Sequence, residues 1–361
     1  YRFAAGEPDY QQIFDRALEL GPNIVEVLDL YASFLRRQER HAEAIGIIES
    51  ALDLDPLSTS LFHDLGRANI GVGNFDEADR AFQRISQIDP DNPYAAHGSG
   101  LAAILAGRLP EAAYWSDRAS DFDPADYENQ ATSAFIYGSY GDFEMAATRV
   151  EEALALGPGE PYPLAAKAYL LTVTGDHEGA VKVARTALAR QLDDRWRSQY
   201  VFLRVMRDEA IATGELEETL AWYRLLTPGL FANPPEVGVG TVQKAVDLAH
   251  LLQLRGEPEQ AETILTAAIA VFDQRYAKGA ANFPLGVSKA EALALLGRPD
   301  EAIDALRRYV DDGWRLLWRW DTQLNHNFDS LREDPDFLAL LDDIETDLAA
   351  QVAAFTAESL L

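Results

Sequence analysis

The residues of this sequence that could do chemistry are its histidines and carboxylates, because the chain contains no cysteine. Six histidines are present, and none forms the HExxH pattern with which a helix holds zinc. His63 and His97 could share a metal ion if the elements that carry them lie side by side. No carboxylate is evident as a further ligand, so we predict a groove or surface role for both histidines and no metal site.

Other catalytic patterns are weak as well. The sequence Gly-Val-Gly-Thr at 238–241 superficially resembles a phosphate-binding loop, but it lacks the lysine and the preceding strand, which favours a linker. Carboxylates are plentiful, yet none is paired by a spacing that solvation does not explain, and no nucleophile is evident with a base. We therefore expect that this chain is not an enzyme and that it binds no cofactor.

Composition restricts the possible partners. The 361 residues carry a formal net charge of −28, from 59 acidic and 31 basic side chains. Such a surface repels phosphate backbones and anionic membranes, so direct nucleic-acid binding is not expected. No run of eighteen apolar residues could span a membrane, and no apolar targeting segment opens the chain. The first residue is not Met, as expected for a piece of a longer protein, and the lack of cysteine suits cytoplasm and periplasm equally.

A regular spacing of structure-breaking and small residues organises the first half of the chain. Five prolines recur every 34 residues, namely Pro22, Pro56, Pro90, Pro124 and Pro158. Two series of small residues keep the same period, namely Ala32, Gly66, Gly100, Ala134 and Ala168, then Ala44, Ala78, Ala112, Ala146 and Ala180. A turn glycine follows the first series at Gly73, Gly107, Gly141 and Gly175, with Glu39 in its place in the first unit. Each unit is thus predicted to be an antiparallel helix hairpin that ends at a proline.

This pattern closely resembles the tetratricopeptide repeat family, which shares the period, the small residues in both helices, the turn glycine and the terminal proline. The second unit carries most of the resemblance, through Phe62, Leu65, Gly66, Gly73, Ala78, Phe82 and Pro90. The resemblance implies an all-α fold, a right-handed superhelical solenoid of antiparallel helix hairpins.

The same signals predict the organisation of the whole chain. We expect a partial repeat at 1–24, five regular repeats over 25–194, an irregular hairpin and long loop at 195–241, two further hairpins over 242–316, and capping helices at 317–361. The five regular repeats are predicted at 25–58, 59–92, 93–126, 127–160 and 161–194. Proline and glycine in 227–241 predict the loop.

The resemblance also implies where a partner would bind. In this family the first helix of each repeat lines a concave groove, and the corresponding positions here are rich in basic and aromatic residues although the chain is acidic. The predicted partner-binding residues are Arg36, Arg37, His63, Arg67, Tyr94, His97, Phe135, Tyr162 and Tyr169. Arginine and aromatic side chains are common interface anchors, so we predict a groove for an acidic peptide. The alternative is that these side chains pack against neighbouring helices or lie in water.

The C-terminal region suggests a context for the repeats. A tryptophan-rich stretch at 313–321 places Trp314 and Trp318 on one helix face, which predicts core packing against the last hairpin, with a partner surface as the alternative. Residues 328–349 resemble the ends of repeat regions in bacterial signalling proteins, including membrane-spanning winged-helix regulators and adenylate cyclases. That resemblance implies a sensory or docking region.

Two functions follow from these predictions. The first is a scaffold that binds a protein or peptide in the groove. The second is a regulatory region in which residues 195–241 enclose a small ligand. The sequence leaves the partner, the compartment and a possible homodimer open.

Overall fold

The computed structural model describes residues 10–190, 198–277 and 286–355. These residues form eighteen α-helices and no strand. The helices, in chain order from α1 to α18, are Tyr10–Leu20, Val25–Arg37, His41–Leu52, Thr59–Val72, Phe75–Ile88, Pro93–Leu105, Leu109–Phe122, Tyr127–Tyr140, Phe143–Leu156, Pro161–Val173, His177–Ala189, Ser198–Thr213, Leu216–Leu226, Val242–Leu254, Pro258–Ala277, Gly286–Leu295, Pro299–Asp311 and Pro335–Ala354. Short helical turns of other types occupy Pro228–Phe231, Arg319–Gln323 and His326–Leu331. The predicted all-α solenoid of helix hairpins is confirmed.

Each predicted segment of the chain includes residues that the structure does not describe. Residues 1–9, 191–197, 278–285 and 356–361 lie outside the described residues, and each of these gaps falls within or between predicted segments. In the predicted irregular segment, α12 and α13 form a helix pair, and residues 232–241 are not helical. The exact domain limits stay a prediction.

The turn between the two helices of a hairpin depends on a left-handed backbone conformation. Gly175, between α10 and α11, has a φ of +88°. Glu39 occupies the equivalent turn of the first hairpin with a φ of +61°, although a side chain is strained there. The hairpin geometry therefore imposes this conformation even where the sequence departs from glycine.

The described residues divide into two compact units, unit 1 over 10–102 and unit 2 over 103–277 and 286–355. In unit 1, the ring of Phe82 on α5 packs between Gly66 on α4 and Gly98 on α6. A Cβ atom would lie 2.5 Å from this ring at Gly66 and 2.1 Å from it at Gly98. The small residues thus allow an aromatic ring to fill the space between first helices.

In unit 2, residues 314–331 enter the interior and contact the first helix of every hairpin. The contacts are Trp318 with Ser139 on α8, Trp320 with Tyr169 on α10, Asp321 with Arg204 on α12, Asn327 with Asp247 on α14, and Asn325 with Glu291 on α16. We call the covered surface of α8, α10, α12, α14 and α16 the inner face of unit 2.

The tryptophan-rich stretch is part of this interior. Trp318 and Trp320 are fully buried, and the Trp318 Nε1 atom donates a hydrogen bond to the carbonyl of Ser139 over 2.9 Å. Trp314 stacks on Tyr309 of the last hairpin with ring centroids 5.1 Å apart. The prediction of core packing is confirmed. The alternative of a partner surface is not supported, because the rings are buried in unit 2.

The C-terminal helix α18 contacts α17, as a cap on the last hairpin must, and it also contacts α7 and α8. The side-chain amide of Gln351 donates to the carbonyl of Gly107 over 3.0 Å and accepts from the backbone N–H of Leu109 over 3.2 Å. These bonds satisfy backbone groups at the turn before α7, so α18 joins the start of unit 2 to its end.

A network of buried charges holds residues 314–331, which we call the inserted segment, against the inner face. The Arg204 guanidinium is fully buried and donates to Asp247 at 3.1 Å, to Glu291 at 2.8 Å and to Asp321 at 2.7 Å. Arg207 pairs with Asp247 and, at 2.5 Å, with Asp208. Asn325 and Asn327 donate further hydrogen bonds to Glu291 and Asp247, at 2.6 Å and 2.8 Å respectively.

The substitutions Gly46→Ala and Gly175→Ala should have opposite effects on stability. A Cβ atom meets nothing within 4 Å at either position, but Gly46 lies inside helix α3 whereas Gly175 has a positive φ. We expect Gly46→Ala to stabilise the fold by about 0.5–1 kcal/mol and Gly175→Ala to destabilise it by about 1–2 kcal/mol. Urea denaturation followed by circular dichroism measures both. Effects of the same sign would contradict the assignment of the turn.

The substitution Arg204→Met should strongly destabilise unit 2. It leaves the buried carboxylates of Asp247, Glu291 and Asp321 without their shared cation, which costs about 3–5 kcal/mol. The matched control is Arg185→Met, because Arg185 forms an exposed pair with Glu218 at 2.8 Å that is worth about 1 kcal/mol at most. The measurement is the free energy of unfolding of each variant. If both substitutions lowered it equally, the result would argue against the stabilising role of the network.

Candidate functional site

The first helices of unit 1 place the predicted basic residues on one surface, which we call the α2–α4–α6 face. Arg36 and Arg37 lie in the last turn of α2. His63 and Arg67 are four residues apart on α4 and therefore share one side of that helix. Tyr94 and His97, three residues apart, likewise share one side of α6.

A buried carboxylate joins α2 to α4 at this face. Asp64 accepts hydrogen bonds from Ser33 Oγ at 2.7 Å and from Arg36 Nη2 at 3.0 Å, and His63 Nδ1 lies 3.5 Å from it. Although burial opposes ionisation, the bonds from His63 and Ser33 and the charge of Arg36 hold the pKa of Asp64 below its usual value. Burial and the charge of Asp64 raise the pKa of Asp29.

The sequence made no carboxylate ligand evident for His63, whereas in the structure the carboxylate of the adjacent Asp64 lies beside its ring. His63 also packs on Tyr94 of α6 with ring centroids 5.1 Å apart, which connects α4 to α6. His63 therefore belongs to the wall of the face. Among the described residues, no group of three histidine and carboxylate side chains could hold a metal ion.

Four of the predicted side chains on this face are open to solvent. Arg37, Arg67 and His97 are exposed, and Tyr94 is 60% exposed. Arg36 is only 22% exposed because it pairs with Asp64. Arg37 and Arg67 form no ion pair within the described parts of the chain, so their guanidinium groups are available.

The structure corrects the prediction for the aromatic residues of unit 2. Phe135 is 6% exposed and Tyr169 is fully buried, with their ring centroids 5.2 Å apart. Trp320 packs against Tyr169 at 5.8 Å. Tyr162 is half-buried, and its hydroxyl lies 3.1 Å from that of Thr132. Phe135 and Tyr169 are buried because residues 314–331 cover the inner face, so neither offers a surface to a peptide.

A cavity of about 170 Å³ remains in unit 2 beside the inserted segment. Its lining is mainly apolar and aromatic, and consists of Thr132, Phe135, Ile136, Tyr162, Ala165, Ser198, Tyr200, Val201, Gln243, Tyr309, Trp314, Leu316, Leu317 and Asp321. Two predicted partner residues, Phe135 and Tyr162, thus face this cavity. Sequence reasoning missed the cavity, because its walls come from five separate parts of the chain.

Asp321 is the charged member of that lining. Its Oδ1 atom accepts from Arg204 at 2.7 Å, and the hydroxyl of Tyr200 lies 3.5 Å away. Burial raises the pKa of Asp321 to about 7, and the nearby charges of Glu291 and Asp247 raise it too, against the effect of Arg204. The cavity is therefore an aromatic chamber with a carboxyl group at its wall.

None of the described helices is both long enough and apolar enough to cross a membrane. Residues 35–104, which include the six predicted residues of the α2–α4–α6 face, match a family model described as tetratricopeptide repeat. Residues 246–315 match a second model of the same description. No curated protein matches the sequence.

Several solved structures, some of them described as tetratricopeptide repeat proteins, are similar to this chain. One from Parabacteroides merdae is 13% identical and covers 70% of this chain and 95% of its own, with a TM-score of 0.53. The Cut9–Hcn1 hetero-tetramer of the APC/C is 16% identical, covering 84% of this chain and 52% of its own, with a TM-score of 0.48. YrrB, described as having an unusual peptide-binding site, is 15% identical, covering 54% of this chain and 97% of its own, with a TM-score of 0.41.

These identities concern the fold alone. The matched segments nevertheless lie in both units, and they coincide with helix hairpins of the structure. Residues 35–104 and 246–315 are therefore similar to tetratricopeptide repeats, and the described residues form an all-α solenoid of helix hairpins.

Proposed function

We propose that the chain is an interaction scaffold whose α2–α4–α6 face binds an acidic peptide segment of a partner protein. Proteins built from tetratricopeptide repeats generally mediate protein–protein interactions. The observation that carries the proposal is that Arg37 and Arg67 are exposed on first helices and form no ion pair with any described residue, in a chain with a net charge of −28.

The charge balance of the chain favours ion pairs for its exposed arginines. With 59 acidic side chains against 31 basic ones, an exposed arginine has many possible partners within its own chain. Arg36 forms an ion pair with Asp64, and Arg40 forms one with Glu43 at 2.6 Å. Arg37 and Arg67 have none among the described residues, as is also true of the exposed Arg84, Arg118 and Arg308. Arg37 and Arg67 differ from those in lying on the first helices α2 and α4, and a guanidinium group binds a carboxylate through two parallel hydrogen bonds. An acidic partner supplies those carboxylates.

The geometry of the helices suggests how such a peptide lies. Arg37 is on α2 and Arg67 is on α4, and these two helices contact each other. Packed helix axes are about 8–10 Å apart, and an extended chain advances about 3.3 Å per residue. Two acidic residues about three positions apart would therefore reach both arginines. Beyond them, the exposed ring of Tyr94 offers an apolar contact on α6.

A second candidate function is ligand sensing, and the cavity of unit 2 supports it. Ser198, Tyr200 and Val201 come from the predicted ligand-enclosing segment at 195–241 and line the cavity. We further propose that the chain serves as a docking or sensory region of a bacterial signalling or transcription regulator. Only the resemblance of residues 328–349 supports that assignment.

The double variant Arg37→Glu/Arg67→Glu should lose affinity for an extended peptide with two glutamates three positions apart. We expect at least about a tenfold loss, because repulsion replaces two charge contacts that are each worth on the order of 1 kcal/mol. Fluorescence anisotropy of a labelled peptide measures the affinity. Arg36 is left unchanged, since its pair with Asp64 supports the face.

The matched control is Arg80→Glu/Arg84→Glu, which changes the net charge equally but alters exposed residues of the second helix α5. This control should bind as the unmodified protein does. Equal losses in both double variants would mean that the net charge alone governs binding, and an unchanged affinity in both would rule out the proposed face.

A further inference from the structure

We infer that the cavity of unit 2 is a binding site for a small organic cation, a primary amine on an apolar body of about one aromatic ring, with its ammonium group on Asp321. The inference is independent of peptide binding, because every residue that carries it belongs to unit 2. It rests on the size of the cavity, its unsatisfied hydroxyl, its charge and its aromatic walls.

The size of the cavity fits one ring. Its volume is about 170 Å³, and its apolar wall includes Phe135, Ile136, Val201 and Leu317. An engineered apolar cavity of about 150 Å³ in another protein binds benzene. A ring with a one-carbon arm to an amine is therefore of suitable size.

A polar group in the wall lacks a partner that such an amine would supply. Ser198 is 1% exposed, and its Oγ atom has no hydrogen-bond partner among the described residues. An unpaired buried hydroxyl is unfavourable, and a ligand that donates to it removes that cost. Gln243, which is partly exposed, also lines the cavity. An ammonium group carries three N–H donors, and Ser198, Gln243 and Asp321 offer oxygen acceptors in the same cavity.

The charge of the region favours a cation. The buried network contains the two arginines 204 and 207 and the four carboxyl groups of Asp208, Asp247, Glu291 and Asp321. It therefore has two more acids than bases, and of these four carboxyl groups only that of Asp321 lines the cavity. No lysine, arginine or histidine is among the lining residues. A bound ammonium would offset one of the surplus charges where the network is accessible.

The aromatic walls are suited to a positive charge as well. Tyr162, Tyr200, Tyr309 and Trp314 line the cavity, and the faces of such rings attract cations. The same surface already holds one cation, since the Arg204 guanidinium lies 4.7 Å from the centroid of the Tyr200 ring. An amine in the cavity would meet a carboxyl group at one side and aromatic rings around it.

Benzylamine and benzyl alcohol test this inference, because they share shape and ring but only the amine is charged. Isothermal titration of the full chain should show that benzylamine binds at least about tenfold more tightly than the alcohol. Binding should be stronger at pH 8 than at pH 6, because Asp321, with a pKa raised to about 7, is ionised at the higher pH while benzylamine stays protonated at both. The titratable groups that face Asp321 are Arg204 and Tyr200 from α12, Asp247 from α14, Glu291 from α16 and Tyr169 from α10.

Two variants locate the site. Asp321→Asn should abolish the preference for the amine over the alcohol and the dependence on pH. Because Asp321 also supports Arg204, circular dichroism checks that the Asp321→Asn variant is folded. Ser198→Ala provides a second variant, which removes no side-chain hydrogen bond among the described residues. Ser198→Ala should weaken benzylamine roughly three- to tenfold, whereas the control Thr213→Ala, at an exposed position of the same helix, should not change it.

Three results would overturn the inference. Equal affinity of the unmodified chain for benzylamine and benzyl alcohol would show that the charge of the amine does not contribute to binding. If neither probe bound at millimolar concentration, the cavity would not be a binding site for a molecule of this kind. A preference for benzylamine that persists in folded Asp321→Asn and in Ser198→Ala would place the amine elsewhere.

Discussion

The structure of unit 2 depends on the burial of the Arg204 guanidinium. A buried charge without partners is strongly unfavourable, so this side chain needs several acceptors in fixed positions. It takes them from three elements that are distant in sequence: Asp247 on α14, Glu291 on α16 and Asp321 in the inserted segment. Any arrangement of the hairpins that separates one of these elements leaves a charge unpaired. The network therefore fixes the segment 314–331 against the inner face more specifically than apolar packing alone would.

Residues 314–331 cover the first helices of unit 2, so these helices differ from those of unit 1 in the side chains that they expose. In unit 1, the first helices keep Arg37, Arg67 and Tyr94 exposed. In unit 2, the equivalent surface packs on the chain's own tryptophans, and Tyr169 is fully buried beneath Trp320. The same repeat position thus contacts solvent in one unit and the chain itself in the other. The packed face has already gained the apolar contacts that a partner would otherwise bring.

The sequence predicts the features that are local. The proline and glycine spacing gives the hairpins and their turns, because each depends on residues within one period, and even the unusual Glu39 turn follows from its place in that period. The contacts that define the inner face are not local. Ser139 and Trp318 are 179 residues apart, and no repeat relates them. Phe135 lines the cavity beside residues 314–331 and Tyr169 packs on Trp320, but the sequence could not show that another part of the chain covers these side chains. Arg204 lies beyond residue 194, where the period that would have given its orientation is lost.

The irregular segment after residue 194 contributes Arg204 and Arg207 to this packing. A regular repeat uses small residues so that neighbouring helices approach each other, and its inner positions are free to vary. From α12 onward the inner positions must instead match one particular segment, with charged residues at Arg204 and Asp247 and a partner for each. Such requirements differ from one hairpin to the next, although residues 246–315, which include Asp247 and Glu291, still match a tetratricopeptide repeat model. The cavity lies where this charged network meets the aromatic packing of α8 and α10. Asp321 must stay within reach of Arg204, and the space beside it is left unfilled by side chains.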